Sequence, residues 1–213
     1  MTRSALFVVV LLLAGCPPTK VVDQPASDLD ATFSILDTDS NPSDGKVPII
    51  VDFRVADALV AIATTSTVTC NDVPLENTAL GYAARVPLDS TYTFNFTRQG
   101  VVTTVAIAAQ TRPAVTAPAA GASVPRGTPL TITYQAGGGT NVIGFAAAGA
   151  QAKSGTTEPD NGTYTGFDVS SLTAGSGTLA IQRTLDSDLP GTGFAAAHEV
   201  LTTSSADVPV VWN

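Results

Sequence analysis

The side chains that could carry out chemistry in this chain are few. Among 213 residues there are two cysteines, Cys16 and Cys70, and one histidine, His198. A thiol can be acylated, oxidised or simply buried, and an imidazole can transfer protons or bind a metal. The residues around Cys16, Cys70 and His198 indicate which of these roles each one has.

His198 invites comparison with hydrolases, because serines and aspartates are abundant and a Ser–His–Asp relay needs one of each. The chain has no Gly-x-Ser-x-Gly nucleophile elbow. The run 195–200 around His198 predicts a strand edge, where an imidazole is solvated or hydrogen-bonded. One histidine without a pair of free cysteines also falls short of the three or four ligands that zinc requires. We therefore predict that the chain is not an enzyme.

The acidic stretch 37–45 is a candidate calcium loop. Asp37, Asp39, Asn41 and Asp44 place oxygen ligands at short intervals, as hard cations require. The EF-hand pattern fails, because the sixth and twelfth positions counted from Asp37 are both prolines. Two interpretations stay open: a looser Ca²⁺ site built from those four residues, and an Asx-rich turn whose side chains cap their own backbone. No other cofactor is predicted.

The first fifteen residues have the layout of an export signal. Arg3 supplies the only positive charge ahead of the apolar run 5–14. Roughly 20 apolar residues are needed to span a bilayer as a helix, so this run is too short to be a stable anchor. A basic start, a short apolar segment and then the small residues Ala14 and Gly15 are typical of a signal peptide.

The segment Leu13-Ala14-Gly15-Cys16 resembles the lipobox of bacterial lipoproteins. In that family the cysteine thiol is joined to a diacylglycerol, the chain is cut just before it, and the new amino group is acylated. The resemblance implies that Cys16 is the lipidation site and that the partner is the membrane, since stable anchoring takes more than one acyl chain. Pro17 stands where an Asp would favour inner-membrane retention. The implied location is the bacterial cell envelope, at the outer membrane or cell surface; an ordinary secreted protein is the alternative.

The composition is acidic and sparsely charged, with a formal net charge of −8 and 13% charged residues. Nucleic-acid binding needs clustered Lys and Arg, so no nucleic-acid partner is predicted. If Cys16 carries lipid, Cys70 has no partner for an internal disulfide. Val68 and Cys70 share one face of a predicted strand, and we predict that Cys70 is buried.

Short alternating apolar runs are separated by Gly, Pro, Asn and Asp, and helix-period patterns are missing. This pattern predicts an all-β fold. The clearest strand is Thr91–Arg98, and a Gln99-Gly100 turn joins it to Val101–Ala108 as a hairpin. Gly175-Ser176-Gly177 is predicted to be a turn. Other strands are predicted at residues 31–36, 47–54, 67–71, 82–86, 130–134, 141–147, 163–167, 178–184, 195–201 and 207–212.

The chain divides into four predicted parts: a signal peptide at 1–15, a flexible tether at 16–28, a first β-sandwich at 29–112 and a second at 113–213. The tether has no periodicity, and the break at Thr111-Arg112-Pro113 interrupts any strand. Both halves are similar in style to the Ig-like domains of bacterial surface proteins. The resemblance implies two Ig-like β-sandwich domains in tandem, with Trp212 as a core residue of the second.

These features favour a non-enzymatic, lipid-anchored cell-envelope protein whose Ig-like modules serve structural or protein-interaction roles, with an envelope protein or a glycan as partner. One alternative is a carbohydrate-binding surface lipoprotein, which would need Tyr82, Tyr134 and Tyr164 exposed together. A less favoured alternative is an envelope hydrolase, which would bring His198 to a serine and an acid inside a pocket.

Overall fold

The protein is described by a computed structural model that covers residues 20–39, 43–79, 81–138, 140–149 and 151–213, without the side chains of residues 152–157. Apart from one 3₁₀ turn at Ala26–Asp28, its regular structure in those ranges is β. The strands, in chain order, are β1 (Val21–Val22), β2 (Asp30–Asp37), β3 (Lys46–Val55), β4 (Ala58–Ile62), β5 (Ser66–Cys70), β6 (Val73–Pro74), β7 (Glu76–Thr78), β8 (Gly81–Pro87), β9 (Thr91–Arg98), β10 (Val101–Ala108), β11 (Val115–Ala117), β12 (Ala122–Val124), β13 (Leu130–Tyr134), β14 (Val142–Ala148), β15 (Ala152–Pro159), β16 (Thr163–Phe167), β17 (Gly175–Asp188), β18 (Ala196–Ser204) and β19 (Val208–Trp212). The predicted all-β class is confirmed.

The strands form because apolar side chains alternate with polar ones along them. In β2 every second residue is buried, and in β9 the rings of Tyr92, Phe94 and Phe96 are buried while Thr93 and Asn95 are half-buried on the opposite face. A period of two puts all apolar side chains on one face of a strand, which then has to pack against another layer. The described strands pair into sheets of twelve, four and three strands.

The first core lies between the twelve-stranded sheet and the four-stranded sheet β10-β9-β5-β6. Phe33 of β2 contacts Phe94 of β9 with ring centroids 4.8 Å apart, and Phe53 of β3 contacts Phe96 at 5.6 Å. Cys70 of β5 is completely buried in this cluster. Sheet-on-sheet packing of this kind is a β-sandwich. The prediction that Cys70 is buried is confirmed.

The second core lies between the other end of the twelve-stranded sheet and the three-stranded sheet β11-β13-β16. The ring of Phe145 stacks on Tyr164 with centroids 4.6 Å apart. Trp212 of β19 is 1% exposed, and its indole N–H donates a 3.0 Å hydrogen bond to the carbonyl of Ala148. The prediction that Trp212 is a core residue is confirmed.

The predicted boundary at residue 112 does not follow the two cores. Strand β18 pairs in parallel with β2 over eight residues, so one sheet runs through both halves of the chain. Ala197 and Leu201 of β18 are buried in the first core, and Phe194 packs against it. The predicted turn at Gly175-Ser176-Gly177 is wrong, because these residues begin the fourteen-residue strand β17. A hairpin from the second half therefore completes the first sandwich.

The predicted tether at 16–28 is too long. Val21 and Val22 of β1 pair in parallel with Ala61 and Ile62. Val22, Ala26 and Leu29 are buried in the first core, which removes their apolar surface from water and fixes this segment. Residues 20–29 therefore belong to the first sandwich, and residues 16–19 of the predicted tether lie outside the described part of the chain. None of the described residues belongs to a helix long and apolar enough to cross a membrane.

Candidate functional site

The predicted lipidation site, Cys16, lies outside the described residues. The backbone carbonyl of Lys20 accepts a 2.9 Å hydrogen bond from the N–H of Ala61, which marks where the chain joins the first sandwich. Four peptide steps separate Cys16 from Lys20, and an extended chain advances about 3.5 Å per residue. If Cys16 carries an acyl group, Lys20 would therefore lie within roughly 15 Å of the acylated residue.

Two carboxylates of the acidic stretch 37–45 are paired with arginines. Asp37 forms an ion pair with Arg112, and Asp44 receives two 2.8 Å hydrogen bonds from Arg85. The hydrogen bonds from Arg85 hold the pKa of the Asp44 carboxyl at about 2. Asn41 lies outside the described residues. Asp37 and Asp44 thus each have a cationic partner, and the geometry does not support the calcium interpretation at these two positions.

The acidic and sulfur-bearing side chains of the described ranges do not converge on a metal site. No three His, Cys, Asp or Glu side chains within those ranges are grouped so as to hold an ion. Asp39 is exposed, and its charge raises the pKa of Arg85 less than the hydrogen bonds that Arg85 donates to Asp44 do. The hard oxygen cluster that Ca²⁺ prefers is therefore not assembled from the described candidates.

The sequence predicts a strand edge at His198. The structure differs, because its strand β18 lies between β17 and β2 in the interior of the sheet. The Nδ1 of His198 is 2.7 Å from Oδ1 of Asp188, with the two side chains 45% and 82% exposed. The neighbouring hydroxyl of Ser187 donates a 2.8 Å hydrogen bond to Glu199 instead. The two side chains thus form a solvent-exposed contact across a hairpin, and an open contact of this kind does not provide the enclosed relay of a hydrolase.

The three tyrosines that a carbohydrate platform would need are not exposed together. Tyr82 and Tyr134 are buried, at 7% and 5% exposure, and Tyr164 is half-buried against the second core. The Tyr82 hydroxyl accepts a 2.9 Å hydrogen bond from the N–H of Ile62, and burial raises the pKa of Tyr82. Flat sugar-binding faces use exposed rings, so these side chains serve the cores instead.

A small cavity lies where the first sandwich meets the linker after β10. Its volume is about 30 Å³, and Tyr92, Gln110 and Thr203 are among the residues that line it. A cavity of this size holds no more than a few water molecules, so it is too small for a substrate. Cys70 does not offer a reactive group either, because burial raises the pKa of its thiol to about 12.

The most concentrated set of buried polar contacts lies between the two cores, and sequence reasoning did not find it. Arg183 of β17 and Asp160 are joined by a 2.6 Å hydrogen bond, with side chains 2% and 0% exposed. Arg183 also donates to the carbonyls of Thr111, at 2.8 Å, and of Gln135. We call this cluster the junction, and it comprises Asp37, Gln110, Thr111, Arg112, Gln135, Gly137, Asn141, Asp160, Arg183 and Thr203.

The junction fixes the linker that the sequence marks as a break. The side chain of Gln110 donates to Asn141 in the second half and accepts a 3.4 Å hydrogen bond from Thr203. Arg112 pairs with Asp37 of the first sandwich. One signal in the sequence could have revealed it. Arg183 is on the same face of the strand as Leu179 and Ile181, which are buried. An arginine on the inward face of a strand indicates a buried ion pair.

The opposite kind of surface lies along β10. Among the described strands it pairs with β9 alone, and it forms the outer edge of the four-stranded sheet. All eight of its residues are uncharged, and Val101 and Val102 are 69% and 54% exposed. Large exposed aliphatic side chains beside unpaired backbone groups are typical of a strand that can bind another strand.

Comparison with known proteins adds little. No protein-family model matches the chain. No curated protein sequence matches it. Among solved structures it is similar to the fibronectin(III)-like modules of CbhA from Clostridium thermocellum, at 15% identity, a TM-score of 0.33, and coverage of 89% of this chain and 90% of that one. A likeness this distant carries no functional argument, and the fold stands on the paired strands and the two cores.

Proposed function

We propose that this chain is a non-enzymatic, lipid-anchored protein of the bacterial cell envelope whose two Ig-like sandwiches act as one rigid contact module. The observation that carries the proposal is the junction. Arg183 and Asp160 form a buried ion pair between the cores, and the linker at Thr111 is fixed to it. Moving the linker or the Asp160 loop away from Arg183 would leave a buried charge with fewer partners, so these segments keep one arrangement.

The shared sheet supports the same conclusion. β17 runs through the second core and continues as a hairpin with β18, whose Ala197 and Leu201 belong to the first core. A hinge between the sandwiches would have to bend β17, which pairs with β14 of the second core and with β18 of the first. A protein that transmits or resists force, or that presents a surface at a fixed distance from a membrane, needs rigidity of this kind.

The anchor rests on the lipobox-like segment that ends at Cys16. Because Lys20 already belongs to the first sandwich, the anchored protein would stand close to the outer membrane or cell surface. The groups that could do chemistry already have structural roles: His198 pairs with Asp188, and Cys70 is buried with a pKa of about 12. These observations favour a contact role over catalysis.

Metabolic labelling tests the anchor. The full chain, Cys16→Ser and Cys70→Ala are expressed in a bacterium with two membranes that is fed an alkyne palmitate analogue. We expect the wild type and Cys70→Ala to carry the label and to sediment with the outer membrane, and Cys16→Ser to be unlabelled. A wild type without label, or a Cys16→Ser chain that keeps it, would refute the proposed anchor.

A further inference from the structure

Strand β10 differs from the strands at the other sheet edges in the described part of the chain. Those other edge strands are at most five residues long, apart from β15, whose sequence includes Lys153, Glu158 and Pro159. Short length, charge and proline are the usual protections of an edge against pairing with another chain. β10 has eight residues, Val-Val-Thr-Thr-Val-Ala-Ile-Ala, and none of these protections.

The turn before β10 determines which backbone groups face outward. Gln99 and Gly100 both have positive φ, 49° and 80°, as in a two-residue type I′ hairpin turn. In such a hairpin Arg98 and Val101 exchange both backbone hydrogen bonds, and every second residue along β10 repeats this pattern with β9. The N–H and C=O groups of the four residues between them therefore point away from β9, namely those of Val102, Thr104, Ala106 and Ala108.

The side chains of those four residues lie on the outer face of the sheet, where all four are exposed. Their neighbours on the same face of β9 are Thr91, Thr93, Asn95 and Thr97, which are also uncharged. A charged peptide would find no counter-charge on this face. Two copies of this chain, each with a net charge of −8, repel each other overall, and an uncharged face is where they can meet without bringing like charges into contact.

β10 is also complementary to itself. A two-fold axis at Val105, perpendicular to the sheet, places Thr104 opposite Ala106 of the second copy and Val102 opposite Ala108 of the second copy. Each pair joins a larger side chain to a small one, and the outward N–H and C=O groups of both strands meet in an antiparallel ladder. The two four-stranded sheets would then form one sheet of eight strands.

We propose that the outer edge of β10 is a homodimerisation site, at which two copies of this chain pair their β10 strands in antiparallel orientation about Val105. This inference rests on the contact role proposed above and names its partner. It does not require the anchor, so it is tested on residues 17–213, which lack Cys16 and contain both cores. A failure of lipidation and a failure of dimerisation therefore give different results.

The test is sedimentation equilibrium of residues 17–213 at concentrations up to about 100 μM. Ala106→Pro removes an outward N–H that bonds nothing within β9, so the fold is kept, but it removes two hydrogen bonds across the dimer. We expect wild-type dimers and a dissociation constant raised more than about tenfold in Ala106→Pro. Thr93→Lys, which puts a charge on the same face but one strand inward, is the matched control and should dimerise like the wild type.

The register has its own measurement. When Thr104→Cys and Ala106→Cys chains are mixed and oxidised, we expect the mixed disulfide to form faster than either homodimeric one, while Cys70 stays buried. Unchanged Trp212 fluorescence confirms that each variant is folded. A monomeric wild type at about 100 μM, equal weakening by Ala106→Pro and Thr93→Lys, or no preference for the mixed disulfide would each overturn the proposal.

Discussion

The junction and the β10 edge treat polar groups in opposite ways. At the junction the charges of Arg183 and Asp160 are buried, at 2% and 0% side-chain exposure, and they are held by backbone groups from several segments. Along β10 the side chains are uncharged and exposed, and only the backbone is polar. Most proteins do the reverse, with charges at strand edges and apolar groups between cores.

The difference separates two tasks. A buried ion pair adds little net stability but constrains the geometry strongly, because separating the partners leaves a buried charge with neither a partner nor water. An uncharged edge adds no constraint inside the molecule and leaves a row of backbone donors and acceptors available outside it. The interior contacts therefore fix how the two sandwiches sit, and the β10 edge is left for contact with another chain.

Removing the junction's cation should have the largest effect. Arg183→Met leaves Asp160 buried without its partner, and we expect the free energy of unfolding of residues 17–213 to fall by about 3–5 kcal/mol in urea titrations. Arg54→Met is the control: its ion pair with Asp52 is at the surface, with the Arg54 side chain 48% exposed. We expect the control to cost at most about 1 kcal/mol. Equal losses in the two variants would contradict the role of the junction.

Crowding the junction should cost less. A Cβ on Gly137 would lie 2.6 Å from Oδ2 of Asp160 and 2.7 Å from Nε of Arg183. Gly137→Ala should therefore lower the free energy of unfolding by about 1–3 kcal/mol, the usual cost of overpacking. Gly127 has open space around it, so Gly127→Ala should leave the urea midpoint almost unchanged. The interpretation fails if Gly137→Ala is as harmless as its control.

Relieving strain in the turn before β10 should have a smaller effect of opposite sign. Gln99 occupies a left-handed conformation, with φ of 49°, that favours Asn over Gln in type I′ turns. Gln99→Asn should stabilise the protein by about 0.5–1 kcal/mol in thermal unfolding. Gly100→Ala, at φ of 80°, should destabilise it. A neutral or destabilising Gln99→Asn would show that the β9–β10 hairpin is not set by this turn.

The exposed pair of Asp44 and Arg85 should give the smallest effect, seen as a pH dependence. Hydrogen bonds from Arg85 lower the pKa of Asp44 from its ordinary 3.8 to about 2. A lowered carboxyl pKa stabilises the folded state above pH 3.8, and this contribution is lost as the pH falls through about 2. An NMR titration should place the Asp44 carboxyl near 2 in the wild type and near its ordinary value in Arg85→Met. An unshifted wild-type titration would remove the pair from the account.

Local patterns predicted the strands well where the strands pair with near neighbours. Strands β9 and β10 have the predicted bounds, because alternating rings set one face and Gln99-Gly100 provides the turn. Gly175-Ser176-Gly177 was mistaken for a turn because glycine can serve either purpose. A Cβ on Gly177 would lie 2.0 Å from the indole nitrogen of Trp212, so this glycine makes room for a core side chain within β17.

The junction and the shared sheet were beyond local patterns. The pairing of β18 with β2 joins residues more than 150 positions apart. The alternating pattern of each strand predicts that it is a strand, but it does not predict which strand it pairs with. Asp160 reads as an ordinary loop residue, since its partner Arg183 is identified only when the strands are assembled. The exposed, uncharged character of β10 was present in the sequence, but its position at a sheet edge was not.

The two sandwiches are expected to behave as one rigid body, and two side chains of the protein serve as probes that test this directly. Trp212 is the single tryptophan and lies in the second core, and Cys70 lies in the first. In residues 17–213 Cys70 is the single cysteine. The measurement is a urea titration that follows Trp212 fluorescence and, in parallel, pulsed alkylation of Cys70. We expect one midpoint for both probes, and two separate midpoints would contradict the account.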